Sequence, residues 1–502
     1  MAFGLPVIGT IEEGNELQGM IKADRTIESA LKALNRILFN YECTSRNAIR
    51  QANSLSWDKR VKSLLQYYAN NKPKNMKHFN TINLPHKSIN TMATTLIREY
   101  NNTEIKYLPK IEISSPSNVN NINNIPTINI NFIDGALCEI LSNKPNNYKV
   151  SFIDLDTNIV IDQATIQNNM WRKTSRKYFT NWKIEVYDLD SNNRIFEHIY
   201  NATNKTVYIA LESKSIGDTI AWFPYVEEFR KKHNCKLIVS TFHNSWFKTK
   251  YPEITFIPPG QVVNNLYAMY RIGWYYNDDQ INNDLNPFDF RAQPLQKTAS
   301  DILGLEYIEL KPKHTFKKNK PTIQGDYVCI SPHASAHAKY WNYPGGWQTI
   351  INYLNSIGYK VVLISQEKLG DQWHDSKIGN KLYGVIDKTG DLPLEDRAND
   401  ILNSKLFIGV GSGLAWISWM LEVPTILISG FSAPYTEFNN GLRIFTPALN
   451  KFTCNSCFNK FKLDAGDWDW CPINKNTPKM FECTTTIEPA TVITNIDISL
   501  SS

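Results

Sequence analysis

Four groups of residues in this chain have types and spacings suited to chemistry. Gly217-Asp218 stands between an apolar run, Val207 to Leu211, and a stretch in which Ile220, Phe223, Val226 and Phe229 recur at helical spacing. A carboxylate at the carboxyl end of a buried strand suits a general base in the crevice of an open α/β sheet, and Gly217 would let a substrate approach the backbone. Asp is also a common helix N-cap, so a capping role competes with this one. Lys339 ends the segment Ser331-Pro332-His333-Ala334-Ser335-Ala336-His337-Ala338-Lys339 and is followed by Tyr340 and Trp341. Small residues, a compact positive charge and a flanking aromatic wall suit a diphosphate carrying a ring; the competing reading is a surface loop with a solvated lysine. Gly409-Val410-Gly411-Ser412-Gly413-Leu414-Ala415-Trp416 follows a buried strand and opens an apolar helix. Backbone N–H groups of Gly411, Ser412, Gly413, Leu414 and Ala415 at a helix start make an anion site, although the spacing is neither a dinucleotide fingerprint nor a P-loop. A turn that needs glycine only for close packing is the alternative. Cys454, Cys457, Cys471 and Cys483 are spaced C-x2-C-x13-C-x11-C. Four thiolates can close a tetrahedral shell around zinc or iron, and such a shell is structural because it leaves no open coordination position.

The elements that must position these groups are legible in outline. From residue 205 to about 320, strand-like runs at Val207 to Leu211, Cys235 to Ser240, Ile254 to Ile257 and Tyr270 to Gly273 alternate with helical stretches. From 321 to 450 a second set runs through Tyr327 to Ser331, Lys360 to Ser365, Leu406 to Val410 and Thr425 to Ser429. This alternation predicts two Rossmann-like halves facing each other across a cleft. Residues 131–204 change to a period of two between Asn, Asp and Gly turns, as expected of a small antiparallel β-domain. Residues 76–130 are Asn-rich and read as a linker. Residues 1–75 carry a strand-like Leu5 to Thr10 and then helical segments. Residues 451–502 hold the cysteines and a tail. The expected fold class is therefore α/β, with two Rossmann-like domains preceded by a small antiparallel β-domain and an N-terminal helical segment.

Composition narrows the function classes. A chain of 502 residues is too long for one ordinary core. Its net charge of +6, from 54 basic and 48 acidic residues, comes without a long basic block, so charge gives no support to nucleic-acid binding. No apolar run approaches the roughly 20 residues of a membrane span. The start, MAFGLPVIGTIEEGNE, lacks the basic and apolar regions of a signal peptide, so a cytoplasmic location is expected. Clustering of four of the eight cysteines within thirty residues points to metal rather than disulfides.

Two resemblances follow from these motifs. SIGDTIAWFPYVEEF, the YVCIS…AKYWN…GGW segment, FIGVGSGLAWISWMLEVPTILISGF and the CNSC…WCPINKNTPKMFEC tail together resemble the bacterial autotransporter heptosyltransferases, relatives of the family 9 lipopolysaccharide heptosyltransferases. The likeness runs from about Asn131 to the C-terminus, with the motifs in the family's order. It implies a GT-B fold, an ADP-heptose donor, inverting transfer to serine hydroxyls of an autotransporter passenger domain, and a large homo-oligomer, a dodecamer in the family. It also implies iron at the four cysteines, Asp218 as general base and Lys339 at the donor phosphates. A lipopolysaccharide-core transferase, or an inactive GT-B body serving as a binding module, are the competing functions. Separately, MAFGLPVIGT…EGNE…SWDKRVKSLL resembles the C-terminal end of a family 4 glycosyltransferase without the glutamate and N-terminal domain that such an enzyme carries. It reads as a remnant that the autotransporter enzymes lack.

Overall fold

The computed structural model describes residues 125–446 and 453–501, together with the backbone of two short strands, β1 (Val7–Gly9) and β2 (Met20–Lys22). These two pair in parallel, Val7 opposite Met20, within an N-terminal unit of their own. The strand-like Leu5 to Thr10 thus finds its partner in three residues, too few to show a period. The helices expected within 1–75, and the linker up to residue 124, lie outside the described residues.

The β-domain holds two antiparallel sheets. One joins β3 (Thr127–Asn131), β4 (Leu137–Leu141) and β7 (Met170–Lys173) in the order β3-β4-β7. The other joins β5 (Asn147–Asp154), β6 (Ile159–Gln167), β8 (Trp182–Asp188) and β9 (Asn193–Ile199) in the order β6-β5-β8-β9. Alternation decides which faces turn inward: Tyr148, Val150 and Phe152 of β5 meet Trp182, Ile184 and Val186 of β8 in the core. Strand β3 begins inside the stretch whose composition reads as linker, because Ile128 and Ile130 pack against that core. Just past β3, Phe132 bonds to the backbone on either side of Ala268, which ties this domain to the sheet that follows.

That sheet is parallel: β10 (Thr206–Leu211), β11 (Lys236–Ser240), β12 (Ile254–Ile257) and β13 (Ala268–Ile272) lie in the order β12-β11-β10-β13. Helix α1 (Ile216–His233) follows β10, and α2 (Leu295–Ile302) packs on α1. A two-residue hairpin, β14 (Tyr276–Asn277) with β15 (Gln280–Ile281), leaves the end of β13. The second half is a six-stranded parallel sheet of β16 (Tyr327–Ser331), β17 (Lys360–Ser365), β18 (Ile386–Thr389), β19 (Leu406–Val410), β20 (Thr425–Ile428) and β21 (Leu442–Ile444). Its order, β18-β17-β16-β19-β20-β21, is that of a dinucleotide-binding fold. Strands β18 and β21, which the sequence reading did not single out, are edge strands of four and three residues. Helices α3 (Gly346–Ser356), α4 (Gln372–Lys377), α5 (Leu394–Leu402) and α6 (Gly413–Met420) connect these strands, and α7 (Glu482–Thr485) and α8 (Pro489–Ser501) end the chain, α8 returning onto α3. With two facing Rossmann-like halves the chain has the α/β GT-B class expected from its sequence.

Two helix starts, one from each half, meet where the halves join. The start of α1 and the start of α6 interlock through two glycines: a Cβ on Gly217 would lie 2.8 Å from Trp416 Cδ1, and one on Gly413 would lie 2.7 Å from Ile216 Cβ. Each glycine is the hole for the other helix's side chain, and Trp416 belongs to the same core cluster as Trp222 and Phe223 of α1. Ile216 Cβ is fixed to its backbone and cannot swing aside. Gly413→Ala should therefore lower unfolding free energy by about 1–3 kcal/mol, outweighing any gain in helix propensity of up to about 1 kcal/mol. Urea denaturation checks this; an unchanged midpoint would mean that the halves do not depend on the contact.

Candidate active site and cysteine loop

Both sheets reverse strand order at one point, between β10 and β13 in the first half and between β16 and β19 in the second, and such points form crevices at the carboxyl ends of the strands. Asp218 follows β10, and Lys339 and the Gly411–Ala415 turn follow β16 and β19. The fold thus brings the base candidate and the donor candidates to facing crevices.

Asp218 does not cap its helix. Ser215 is the N-cap of α1, with its side chain accepting from the Asp218 N–H at 3.5 Å, so the carboxyl in the first turn is left for other work. Ser213 Oγ donates to Asp218 Oδ2 at 2.6 Å. Desolvation holds the Asp218 carboxyl above the usual carboxylate range, while Ser213, Lys339, the Trp274 indole and Ser215 pull the other way. Gly217, expected to admit substrate, instead admits Trp416.

Lys339 is half-buried, not solvated. Burial lowers its pKa, and the charges of Asp218 and Glu437 oppose that shift. Its ammonium donates to Ser335 Oγ at 3.2 Å and lies 5.6 Å from the Phe431 ring centre. The aromatics after it are not a wall for a ligand: Tyr340 and Trp341 are fully buried, and Trp341 Nε1 donates to Ile487 O at 2.8 Å.

At the glycine turn Ser412 is the N-cap of α6, yet its side chain makes no capping bond and Oγ is buried without a partner. The first N–H groups of the helix, on Gly413, Leu414 and Ala415, therefore have no side-chain cap, which is the state an anion would satisfy. The packing reading of the turn applies at Gly413, which must lie against Ile216, while Gly411 faces Glu437, whose Oε1 would be 3.3 Å from a Cβ there.

The cysteine loop lies against the same cleft. Cys457 and Cys471 share an apolar cluster with Ala338, Phe431, Trp470 and Phe481. His337, two residues before Lys339, bonds to Asp469 through Nδ1 at 2.7 Å, and its N–H donates to Trp468 O. Asn459 bridges the halves, donating from Nδ2 to Arg291 O at 2.6 Å and accepting at Oδ1 from Ala433 N at 2.7 Å. A Cβ on Gly430 would be 2.1 Å from Cys483 O, so that glycine is required for the loop to seat.

All four cysteines are free thiols, three of them buried. They lie within electrostatic reach of one another. Burial pushes Cys457 up to about 12 and Cys483 well above its ordinary value, and in both the other cysteines of the group add to the rise. Among the described residues, no three His, Cys, Asp or Glu side chains are drawn together closely enough to be a finished metal shell. The donor set nonetheless suits a thiophilic cation: four cysteines within electrostatic reach, whose thiolates would repel one another, are what a divalent ion would relieve.

Comparison with known proteins extends this reading. The model of glycosyltransferase family 9 (heptosyltransferase) matches residues 280–456. The autotransporter heptosyltransferase BAHTCr of Citrobacter rodentium is 34% identical over 359 residues, 70% of this chain and 84% of its own. The chain belongs to the autotransporter heptosyltransferases. The crystal structure of TibC from enterotoxigenic Escherichia coli, described as an iron-containing dodecameric glycosyltransferase, is 30% identical with a TM-score of 0.67 over 78% of this chain and 97% of TibC. A second TibC structure, in complex with ADP-D-beta-D-heptose, matches with the same TM-score over 77% and 99%. BimC of Burkholderia thailandensis, an inactive autotransporter heptosyltransferase, is 28% identical over 71% of this chain and 82% of its own.

In this heptosyltransferase several residues around the cleft escaped sequence reasoning. His333, 4% exposed, has both ring nitrogens unpartnered, and burial lowers its pKa to about 4. Trp274, just past β13, is among the groups that favour the charged form of Asp218. Glu437, in a loop with no motif of its own, receives the Ser432 hydroxyl at 2.7 Å and pairs with Arg443, which also donates to Ser432 O at 2.8 Å. Only their neighbours in space identify these residues. A cavity of about 460 Å³ lined by Asp154, Arg176, Thr180, Lys232 and His233 lies at the β-domain, outside this cleft.

The Glu437–Arg443 pair is nearly enclosed, each side chain 11% exposed. Removing one partner leaves an uncompensated charge, so Arg443→Met should cost about 3 kcal/mol or more, and Glu437→Gln/Arg443→Met should recover part of it. Thermal unfolding of the single and double variants measures this; equal losses in both would contradict it.

Proposed function

We propose that the protein transfers heptose from ADP-heptose to serine hydroxyls of an autotransporter passenger domain, with inversion at the anomeric carbon. The observation that carries this reading is the juxtaposition of Asp218 and Lys339 at the two crevices, each felt in the other's charge state. A base and a cation on opposite sides of one cleft suit a displacement in which a proton leaves on one side and negative charge develops on the other. The serine hydroxyl gives its proton to Asp218 as its oxygen bonds to the anomeric carbon. The bond from that carbon to the diphosphate oxygen breaks, and ADP departs with the electron pair. Lys339 and the backbone N–H groups of Gly411, Ser412, Gly413, Leu414 and Ala415, the last three without a side-chain cap, balance the charge of the departing diphosphate. The donor matches that of the TibC complex.

Iron is the metal we assign to Cys454, Cys457, Cys471 and Cys483, supported by the description of TibC as iron-containing. When bound, it would supply structural cross-linking of the loop rather than chemistry on the sugar, since four thiolates leave no open position. A large homo-oligomer, as described for TibC, and a cytoplasmic location complete the reading. Among the described residues, no helix is long and apolar enough to cross a membrane. Residues 1–130 precede the shared region and are read as an addition to it.

The inactive relative BimC keeps open a second reading, a GT-B body used for binding alone. Asp218→Asn separates the two. It should lower transfer by roughly 10²–10⁴-fold while leaving ADP affinity near wild type. Lys339→Ala should weaken donor use instead. Because desolvation raises the Asp218 pKa, the base is protonated at pH values where a free aspartate is already charged, so the acid limb of kcat/KM should lie above the ordinary carboxylate range. Wild-type turnover in Asp218→Asn would refute the base. Cys457→Ser should cost iron and solubility together, measured by elemental analysis; a metal-free variant with full activity would refute the structural role.

A further inference from the structure

Trp274 stands two residues past the end of β13, on the strand that flanks the first switch point together with β10. Its position is built rather than incidental. Asn286, 1% exposed, holds the backbone on both sides of it, donating from Nδ2 to Gly273 O at 3.1 Å and accepting at Oδ1 from Tyr275 N at 3.1 Å. Phe290 lies edge-on at 4.9 Å between ring centres, Phe458 edge-on at 5.2 Å, and Trp222 tilted at 6.2 Å. Trp222 is one helical turn beyond Asp218, so this face of α1 carries both the carboxyl and one wall of the indole's site. The indole N–H is buried and has no closed hydrogen bond, whereas that of Trp222 donates to Leu295 O at 3.0 Å. A buried donor left open beside a carboxyl has one evident use.

Phe458 is the residue after Cys457, in the single turn Cys457–Asn459 whose Asn459 is bonded to both halves. Its ring meets Trp274 on one side and Phe431 on the other, at 5.3 Å, and Phe431 lies beneath the Lys339 ammonium. One side chain of the cysteine loop thus touches the rings beside the base and beside the donor lysine.

Resting on the reading of Asp218 as the base, we propose that Trp274 is its positioning residue. The indole N–H is directed at the Asp218 carboxyl, and Phe458 of the cysteine loop clamps the indole in that orientation. With Ser213 bonded to Oδ2 and the indole directed at the carboxyl, the plane of the carboxylate is fixed toward the incoming hydroxyl, and its charged form is favoured against desolvation. The groups that face Asp218 are Ser213 and Ser215 from its own turn, Trp274 from the end of β13 and Lys339 from the second half, the last itself facing Glu437. Lys339 is unchanged in the variants below, and Trp274→Phe also leaves the Phe431 ring beneath it and its Phe458 neighbour in place, so a shift in that variant reports on the indole.

The test uses the full chain with Trp274→Phe, Phe458→Leu and the double variant, recording kcat/KM against pH, ADP affinity and iron content. Loss of the N–H removes a donor to the carboxylate, so Trp274→Phe should move the acid limb to higher pH. Phe458→Leu keeps apolar bulk but releases the clamp, and should move the limb the same way by a smaller amount, with iron and ADP affinity unchanged. The double variant should move it no further than Trp274→Phe alone. A profile merely scaled down with its limb in place would overturn the proposal, as would shifts that add in the double variant. Asp218→Asn measured alongside keeps the two claims apart: wild-type turnover there removes the base itself, whereas its loss together with an unmoved limb in Trp274→Phe removes only the positioning role.

Discussion

The packing of Trp416 into the space above Gly217, and of Ile216 into the space above Gly413, is the constraint on which the site depends. It sets two helix starts against each other at the distance of bare backbone, one from each Rossmann-like half. The first turn of α1 carries Asp218, and the first turn of α6 carries the uncapped N–H groups. A side chain at either glycine would separate the turns by a good fraction of an ångström or more. Geometry of that precision matters because proximity and orientation of reacting groups account for a large share of a catalyst's effect.

The same closeness explains the electrostatics. Asp218 and Lys339 are each driven toward neutrality by loss of water, and each restrains that drift in the other. Such a pair is costly when empty of substrate; on the proposed mechanism, substrate brings a proton to one partner and negative charge to the other. The cysteine loop supports both ends, through Phe458 at Trp274 and through Asp469 and Trp468 at His337, two residues before Lys339. A structural metal at this point would act on the chemistry only by holding side chains in place.

Much of the fold was legible because buried parallel strands are apolar without interruption: Tyr327 to Ser331 and Leu406 to Val410 are buried along their whole length. The short edge strands Ile386–Thr389 and Leu442–Ile444 were not, since three or four residues give no period and edges tolerate polar side chains. Of the residues proposed for the site, Asp218, Lys339, the glycine turn and the four cysteines stand out by type and spacing. Trp274, His333 and Glu437 do not, because a lone tryptophan, histidine or glutamate carries no pattern and gains its meaning only from neighbours far away in sequence. The glycines were read for the right property and the wrong neighbour: Gly217 does permit a close approach, but of Trp416. Aromatic type alone does not distinguish core from cleft, which is why Tyr340 and Trp341 read as a ligand wall yet lie in the core.

The central claim is that this cleft moves a heptose onto a protein hydroxyl. It is tested most directly by the intact mass of an autotransporter passenger fragment co-expressed with the full chain, in cells with and without a functional ADP-heptose pathway. The account predicts mass increments of single heptose residues on serines that disappear when the pathway is removed. An unmodified fragment in the presence of ADP-heptose, or increments that persist without it, would contradict the account.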